Sequence, residues 1–152
     1  MEKKELEIEV SLQVLKPAKI VFEAIINPEK MSNYFISKSS GIMKEGEKII
    51  WKFPEFPLYF PIYVENIEQD RYISYHWEID HEMLLVEMTL NSVGDEATIV
   101  TITEKGKEND EEGIKWLMGN TAGWANFLAC LKAYLEYGIN LRKGAFDFMV
   151  SK

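Results

Sequence analysis

Two histidines and one cysteine are the residues of this chain that most directly suggest metal or nucleophile chemistry. His76 and His81 lie five positions apart across a predicted turn, which does not align them on one metal ion, and zinc would need a further ligand. Cys130 lies between Ala129 and Leu131, with no positive neighbour to lower its pKa. We therefore predict a packed, unreactive thiol and no metal site.

Acid–base chemistry needs a group near the proton of its substrate rather than a sequence motif. The chain has no recognised motif for a nucleophilic serine, a zinc peptidase, a phosphate loop or a dinucleotide site, so we predict no cofactor. The acid–base candidates are Tyr63, Tyr75 and Glu87. An unpaired carboxylate facing inward would support an enzyme, and carboxylates that all face solvent would argue against one. We expect that the protein is not an enzyme, and an enzymatic role stays open as the alternative.

Aromatic residues give the stronger functional signal. The chain has 4 Trp, 7 Tyr and 8 Phe, and each buried ring removes roughly 150–250 Å² from water. Residues two apart on a strand share a face, as Trp51 and Phe53 would. Such side chains either close-pack into a solid core or, with methionine, line a pocket for a small apolar molecule. The predicted ligand-binding residues are Trp51, Phe53, Tyr63, Tyr75, Trp77, Met88, Trp124 and Phe127.

Hydrophobic periodicity predicts the elements that would hold these residues. Positions 6–14 alternate apolar and polar side chains, which is typical of a half-buried strand. Pro17 begins a helix, and a second short helix follows at "NPEKM", because a residue before proline avoids helical angles. Alternating runs at 62–67, 72–79, 83–91 and 97–104 predict strands. Their short joins indicate antiparallel neighbours.

A long helix completes the predicted fold. Asp110 is a suitable cap, apolar residues then recur at three- and four-residue spacing, and Gly138 is a natural stop. Gly119 and Gly123 would either break this helix or bring its backbone close to the sheet. An apolar sheet face must be covered, so we predict one α+β domain over 1–152. In it a curved antiparallel sheet wraps around the C-terminal helix, with two short helices after the first strand and a cavity beside the long helix.

Charge and composition limit the partners. A net charge of −8 argues against nucleic acid and anionic membranes. No apolar run approaches the roughly 20 residues of a membrane span. One cysteine and the lack of a signal peptide favour the cytoplasm. Strand 83–91 is apolar in both phases, which leaves open a homodimer contact.

Four segments together resemble the family of activators of the Hsp-90 chaperone ATPase. They are "VLKPAKIVFEAIINPEKMSNYF", "RYISYHWEI", "TITEKG" and "GWANFLACLKAYLEYG", and the resemblance covers almost the whole chain. That family belongs to the helix-grip (START/SRPBCC) superfamily, with START lipid-binding domains, pollen-allergen-like proteins and polyketide cyclases. The resemblance implies a sheet of about seven strands gripping the C-terminal helix, with a ligand cavity between them.

The resemblance and the aromatic lining together favour a protein that binds a small apolar or lipid-like molecule between the sheet and the C-terminal helix. Two alternatives stay open. One is a chaperone (Hsp-90) co-factor. The other is an enzyme of the cyclase or dehydratase type that uses Tyr63, Tyr75 or Glu87 as acid and base.

Overall fold

One antiparallel sheet and one long helix account for most of the computed structural model, which describes residues 4–150. The strands are β1 (Glu5–Val14), β2 (Lys38–Ser39), β3 (Lys48–Lys52), β4 (Tyr59–Glu68), β5 (Tyr72–Ile79), β6 (Glu82–Val93) and β7 (Ala97–Glu108). The helices are α1 (Ala18–Ile26), α2 (Pro28–Met31) and α3 (Glu111–Tyr137), and a 3-10 turn follows at Asp147–Met149.

The sheet has the strand order β1-β7-β6-β5-β4-β3-β2, and every neighbouring pair is antiparallel. Strands β2 to β7 therefore form a meander, and the first strand, β1, pairs with the last strand, β7, at the edge of the sheet. The predicted α+β helix-grip fold is confirmed, with its seven-stranded curved, unclosed sheet, its two short helices after the first strand and its long C-terminal helix.

Proline and asparagine residues determine where the two short helices begin. Pro17 is the extended N-cap of α1, and Pro28 begins α2, whose first turn is capped by the Asn27 side chain accepting from the Glu29 amide at 3.0 Å. The hydroxyl of Tyr34 then donates to the carbonyl of Ala24 at 2.9 Å. This bond fixes the loop after α2, from which Phe35 reaches toward α3.

Helix α3 runs without interruption for 27 residues. Asp110 caps it by accepting from the Gly113 amide at 2.7 Å, and Gly138 ends it with φ 66°. The predicted break near Gly119 is wrong, and so is the predicted close approach to the sheet. A Cβ at Gly119 or Gly123 would meet nothing within 4 Å, because both glycines lie on the exposed side of the helix.

A bulge changes the phase of β7 at Gly106. The pairing with β1 skips this residue, since Glu7 pairs with Lys105 and Leu6 with Lys107. Gly106 has φ 133°, and a Cβ there would lie 2.6 Å from Cδ2 of Leu84. Before the bulge the even-numbered residues of β7 face the core, and after it Lys107 is buried. The bulge thus ends the inward-facing series immediately after Glu104.

Within residues 4–150, no helix is both long enough and apolar enough to cross a membrane. On the outer face of β6, Met83 is 50% exposed and Leu85 is half-buried. The face that suggested a homodimer contact is therefore uncovered in the single chain, and the contact itself stays a prediction.

Candidate functional site

A cavity of about 580 Å³ lies beside α3, between the helix, the sheet, the loop 53–58 and the segment after α3. Eight aromatic side chains form the largest group in its wall: Phe35, Phe53, Phe56, Phe60, Trp77, Trp124, Phe127 and Phe146. Apolar Leu58 and Ile79 extend this wall, while Asn120, Asn126 and the Glu55–Arg142 pair are polar. Glu78, Asp80 and His81 also line the cavity, at the end of β5 and the turn that follows.

Separate elements meet at the centre of the aromatic wall. Phe35 comes from the loop after α2, Phe53 from the loop that follows β3 and Phe127 from α3. The ring of Phe35 lies 4.7 Å from that of Phe127 and 5.0 Å from that of Phe53, both edge to face. The Trp124 ring packs 5.4 Å from Phe127 on the same helix. Edge-to-face packing of this kind holds rings in fixed orientations, so the wall is preformed.

A buried carboxylate lies behind two of these rings. Glu104 on β7 is fully buried. Its Oε2 accepts from Nε1 of Trp77 at 2.7 Å, and its Oε1 accepts from Nε1 of Trp124 at 2.8 Å and from Nδ2 of Asn120 at 3.1 Å. The carboxylate thereby joins β5, β7 and α3 and sets the orientation of both indoles and the amide.

The three partners of Glu104 all donate, which is the arrangement an ionised carboxylate accepts. A protonated acid would add a fourth hydrogen in search of an acceptor. Burial raises the pKa of this carboxyl, and the hydrogen bonds from Trp124, Trp77 and Asn120 oppose that rise by favouring the charged form. The three donors therefore suit the charged form of this carboxyl, while its burial behind the apolar wall favours the neutral form.

Sequence reasoning missed Glu104, although the strand carried a signal. Thr98, Val100 and Ile102 occupy the inward phase of β7, and Glu104 is the next residue in that phase. A charged residue in a buried phase is rarely placed there unless it is partnered. Applied to the segment "TITEKG", the same rule would have identified Glu104 as a buried and partnered charge.

An ion pair closes another side of the cavity and was also missed. Arg142 Nη2 donates to Glu55 Oε1 at 2.5 Å and Nη1 donates to Oε2 at 3.1 Å. The guanidinium also lies over the rings of Phe35, Phe53 and Phe146, at 5.8, 5.6 and 4.9 Å from their centroids. This bidentate pair ties the segment after α3 to the loop 53–58.

The structure divides the eight predicted ligand-binding residues into three groups. Phe53, Trp77, Trp124 and Phe127 line the cavity. Three others do not line it and are fully buried in the core: Trp51, Tyr75 and Met88. Tyr63 lies on the outer face of β4, 40% exposed, because Ile62 and Val64 on either side of it face inward. Ligand binding by any of them stays a prediction.

The acid–base candidates are not brought together. Glu87 lies on the outer face, where it accepts from the Tyr72 hydroxyl at 2.5 Å and lies 3.7 Å from Lys105. Tyr63 shares that outer side, and only Tyr75 points inward. The Tyr75 hydroxyl is buried without a hydrogen-bond partner among the described residues, and burial raises its pKa well above the usual value. These three residues cannot act on one substrate.

The remaining candidates have ordinary surroundings. Nδ1 of His76 lies 3.3 Å from Glu65 on the outer face. Cys130 is buried, and burial raises the pKa of its thiol. The prediction of no positive neighbour is wrong, since the charge of Arg142 lowers this pKa, although by less than burial raises it. Across the part of the chain that the structure describes, no three His, Cys, Asp or Glu side chains are grouped so that they could hold a metal ion.

The model of one protein family, described as the Activator of Hsp90 ATPase homolog 1-like protein, matches residues 16–136. The chain belongs to this family. The matched range begins just before α1 and ends within the last turn of α3, so it contains Glu104, both indoles and most of the cavity wall. It excludes Arg142 and Phe146. The resemblance read from the four segments is confirmed.

Several solved structures share the fold of this chain. A protein from Staphylococcus saprophyticus is 31% identical, with a TM-score of 0.77 over 90% of this chain and 96% of that one. DynU16, from the dynemicin biosynthetic locus, is 24% identical with a TM-score of 0.79, over 88% of this chain and 48% of that one. The Aha1 dimer from Colwellia psychrerythraea is 16% identical with a TM-score of 0.73, over 88% and 98%. No curated protein sequence matches significantly.

Proposed function

We propose that this protein binds a small apolar molecule in the cavity beside α3. The observation that carries the proposal is the preformed aromatic cavity of about 580 Å³. Sites for small organic ligands usually measure roughly 300–1,000 Å³ and combine an apolar wall with a few fixed polar groups. The wall described above has this composition, with the Asn120 amide and the Glu55–Arg142 pair as its fixed polar groups.

Family membership supports the proposal, because the same fold encloses such a space between its sheet and its terminal helix. The packing also supports it. The rings of Phe35, Phe127 and Trp124 hold one another in place, so a ligand would meet rings that are already ordered, and little entropy would be lost in ordering them. Burying apolar ligand surface against them would contribute roughly 25 cal/mol per Å² before the cost of association.

Two measurements test this function. Native mass spectrometry of protein purified from its own host should show an added mass that is lost on denaturation. Titration of emptied protein with the neutral dye 6-propionyl-2-(dimethylamino)naphthalene should give a saturable, blue-shifted fluorescence with a stoichiometry of about one. A protein with no co-purified mass and no saturable dye binding would end the proposal.

A second candidate is a chaperone co-factor, which the family description favours. Its test is the ATP turnover of the Hsp-90-type chaperone of the same organism, measured with increasing amounts of this protein. An unchanged turnover at saturating protein would dismiss the candidate.

Whether this chain forms a dimer is a separate question. The Colwellia relative is a dimer, and light scattering at micromolar concentration decides whether this chain is one too.

A further inference from the structure

We propose that the ligand of this cavity is an organic cation, an amine or quaternary ammonium carried on an apolar or aromatic body. This inference rests on the proposed function and narrows it to a chemical class. Three independent features of the described residues point to a cation: a buried carboxylate without a counter-cation, aromatic side chains that line the cavity, and an unpaired carboxylate among the lining residues.

The first feature is the charge on Glu104. Its three hydrogen bonds come from neutral donors, Trp77, Trp124 and Asn120. Among residues 4–150, no lysine, arginine or histidine lies within ion-pair distance of it. Buried charges are normally paired, because an isolated charge is costly in a medium of low dielectric constant. A ligand cation in the adjoining cavity would supply the missing countercharge.

The second feature is the aromatic wall itself. The faces of aromatic rings carry partial negative charge, and Trp is the best partner for a cation. Trp77 and Trp124 lie with ring centroids 5.8 Å apart, and each donates its N–H to the same carboxylate. Hydrogen bonding to an anion moves electron density toward the ring and so strengthens the attraction of its face for a cation. Elsewhere in the aromatic wall the protein already places one cation against rings, since Arg142 lies over Phe35 and Phe53.

The third feature is the balance of charge around the mouth. Arg142 is neutralised by Glu55, and Lys107 is shared between Asp80 at 3.8 Å and Glu82 at 3.7 Å. Glu78 lines the cavity without a cation at ion-pair distance among the residues described. His81, which also lines it, counts as neutral in the net charge of −8. The field at the mouth therefore favours a positive ligand over a negative one.

Matched probes separate this inference from the proposed function. Trimethyl(2-naphthylmethyl)ammonium and 2-neopentylnaphthalene have the same shape and differ by one charged nitrogen in place of carbon, and 2-naphthylacetate supplies an anion. Each is titrated against protein loaded with the neutral dye. We expect the ammonium probe to bind about tenfold more tightly than its neutral isostere and the acetate to bind most weakly.

Variants then assign the preference to the carboxylates. Glu104→Gln should bring the ammonium and neutral probes to within about threefold of each other, and Glu78→Gln should reduce their ratio by about twofold. Glu9→Gln, on an exposed position of β1, should leave the ratio unchanged. Binding of the neutral probe to each variant reports whether its cavity is intact.

Each outcome bears on one proposal or the other. If the neutral isostere binds as tightly as the ammonium in the unaltered protein, the cation inference is wrong while the apolar cavity stands. If no probe binds, the proposed function itself is lost. If Glu104→Gln does not fold, the ratio in the unaltered protein and its change in Glu78→Gln still decide. An unchanged ratio in a folded Glu104→Gln protein would overturn the assignment to that charge.

Discussion

Trp77 on β5 and Trp124 on α3 donate their indole N–H groups to opposite oxygens of one buried carboxylate, at 2.7 and 2.8 Å. The two rings are therefore fixed relative to each other by a third element, β7. This arrangement couples the sheet to the long helix through polar contacts at the place where their apolar surfaces part to leave the cavity. The shape of the cavity and the orientation of α3 should consequently change together.

The pH dependence of stability should carry the signature of Glu104. Burial raises the pKa of this carboxyl in the folded state. A group of this kind binds its proton more tightly when folded, so its contribution to stability is present below the unfolded pKa of about 4.3 and is lost as pH rises through the folded pKa. Urea unfolding of the unaltered protein and of the Glu104→Gln variant from pH 4 to 7 measures this contribution. As pH rises, the unaltered protein should lose free energy of unfolding relative to the variant. A difference that stays constant with pH would contradict the prediction.

The cavity mouth should be narrowed by Gly123→Leu and not by Gly119→Leu. Both glycines face open space on the same helix, but only Gly123 lines the cavity. Each substitution should stabilise the helix by about 0.5–1 kcal/mol, since leucine is the better helix former. Dye titration should show affinity lowered by about tenfold or more for the first variant alone, because the longer side chain enters the mouth. Equal affinities in the two variants would place the entrance elsewhere.

The bulge of β7 should not tolerate a side chain at Gly106. A Cβ there would lie 2.6 Å from Cδ2 of Leu84 and 3.1 Å from the carbonyl oxygen of Met83, at φ 133°. Gly106→Ala should lower the free energy of unfolding by about 2–4 kcal/mol. Gly94→Ala is the matched control, since Gly94 also has a positive φ, of 65°, but has open space around it. Its cost should be about 1–2 kcal/mol, and equal costs would show that the bulge can relax.

The pair between Arg142 and Glu55 should behave as a coupled unit. Their side chains are 14% and 5% exposed, so removing one partner leaves a largely buried charge. Arg142→Met and Glu55→Gln should each destabilise the protein by about 2–4 kcal/mol, and the double variant by less than the sum. Urea unfolding of the four proteins gives the coupling energy. Strictly additive costs would mean that the pair contributes only through its separate contacts.

Periodicity predicted β1, β4 to β7 and α3 in their order, because most of these strands bury one face and alternate apolar with polar residues. It did not predict the two-residue strand β2, and β6 is apolar in both phases. The same periodicity contained two further signals. Ile62 and Val64 point inward, so Tyr63 between them must face out. Glu104 continues the inward phase of Val100 and Ile102. Both follow from the rule of alternation that predicted the strands, applied residue by residue.

Other features could not be read from the chain by such rules. Gly119 and Gly123 weaken helix propensity, yet α3 continues through them because its other face is packed on the sheet. Arg142 lies in an irregular segment whose path depends on a partner, Glu55, in a distant loop. In the same segment, Phe146 docks on the cavity while Phe148 stays 82% exposed. No local pattern separates these two phenylalanines, because only the backbone path decides which one points inward.

The bidentate contact of Arg142 with Glu55 has a further consequence for the order in which parts of the molecule unfold. Ladders of backbone hydrogen bonds hold the seven strands together, whereas this contact and a few rings hold the segment after α3 against the cavity. Segments with few buried contacts open at lower free energy than the core of a fold. We expect amides after Gly138 to exchange with solvent deuterium well before those of β6 and β7. Warming should therefore open the cavity while the sheet is still intact.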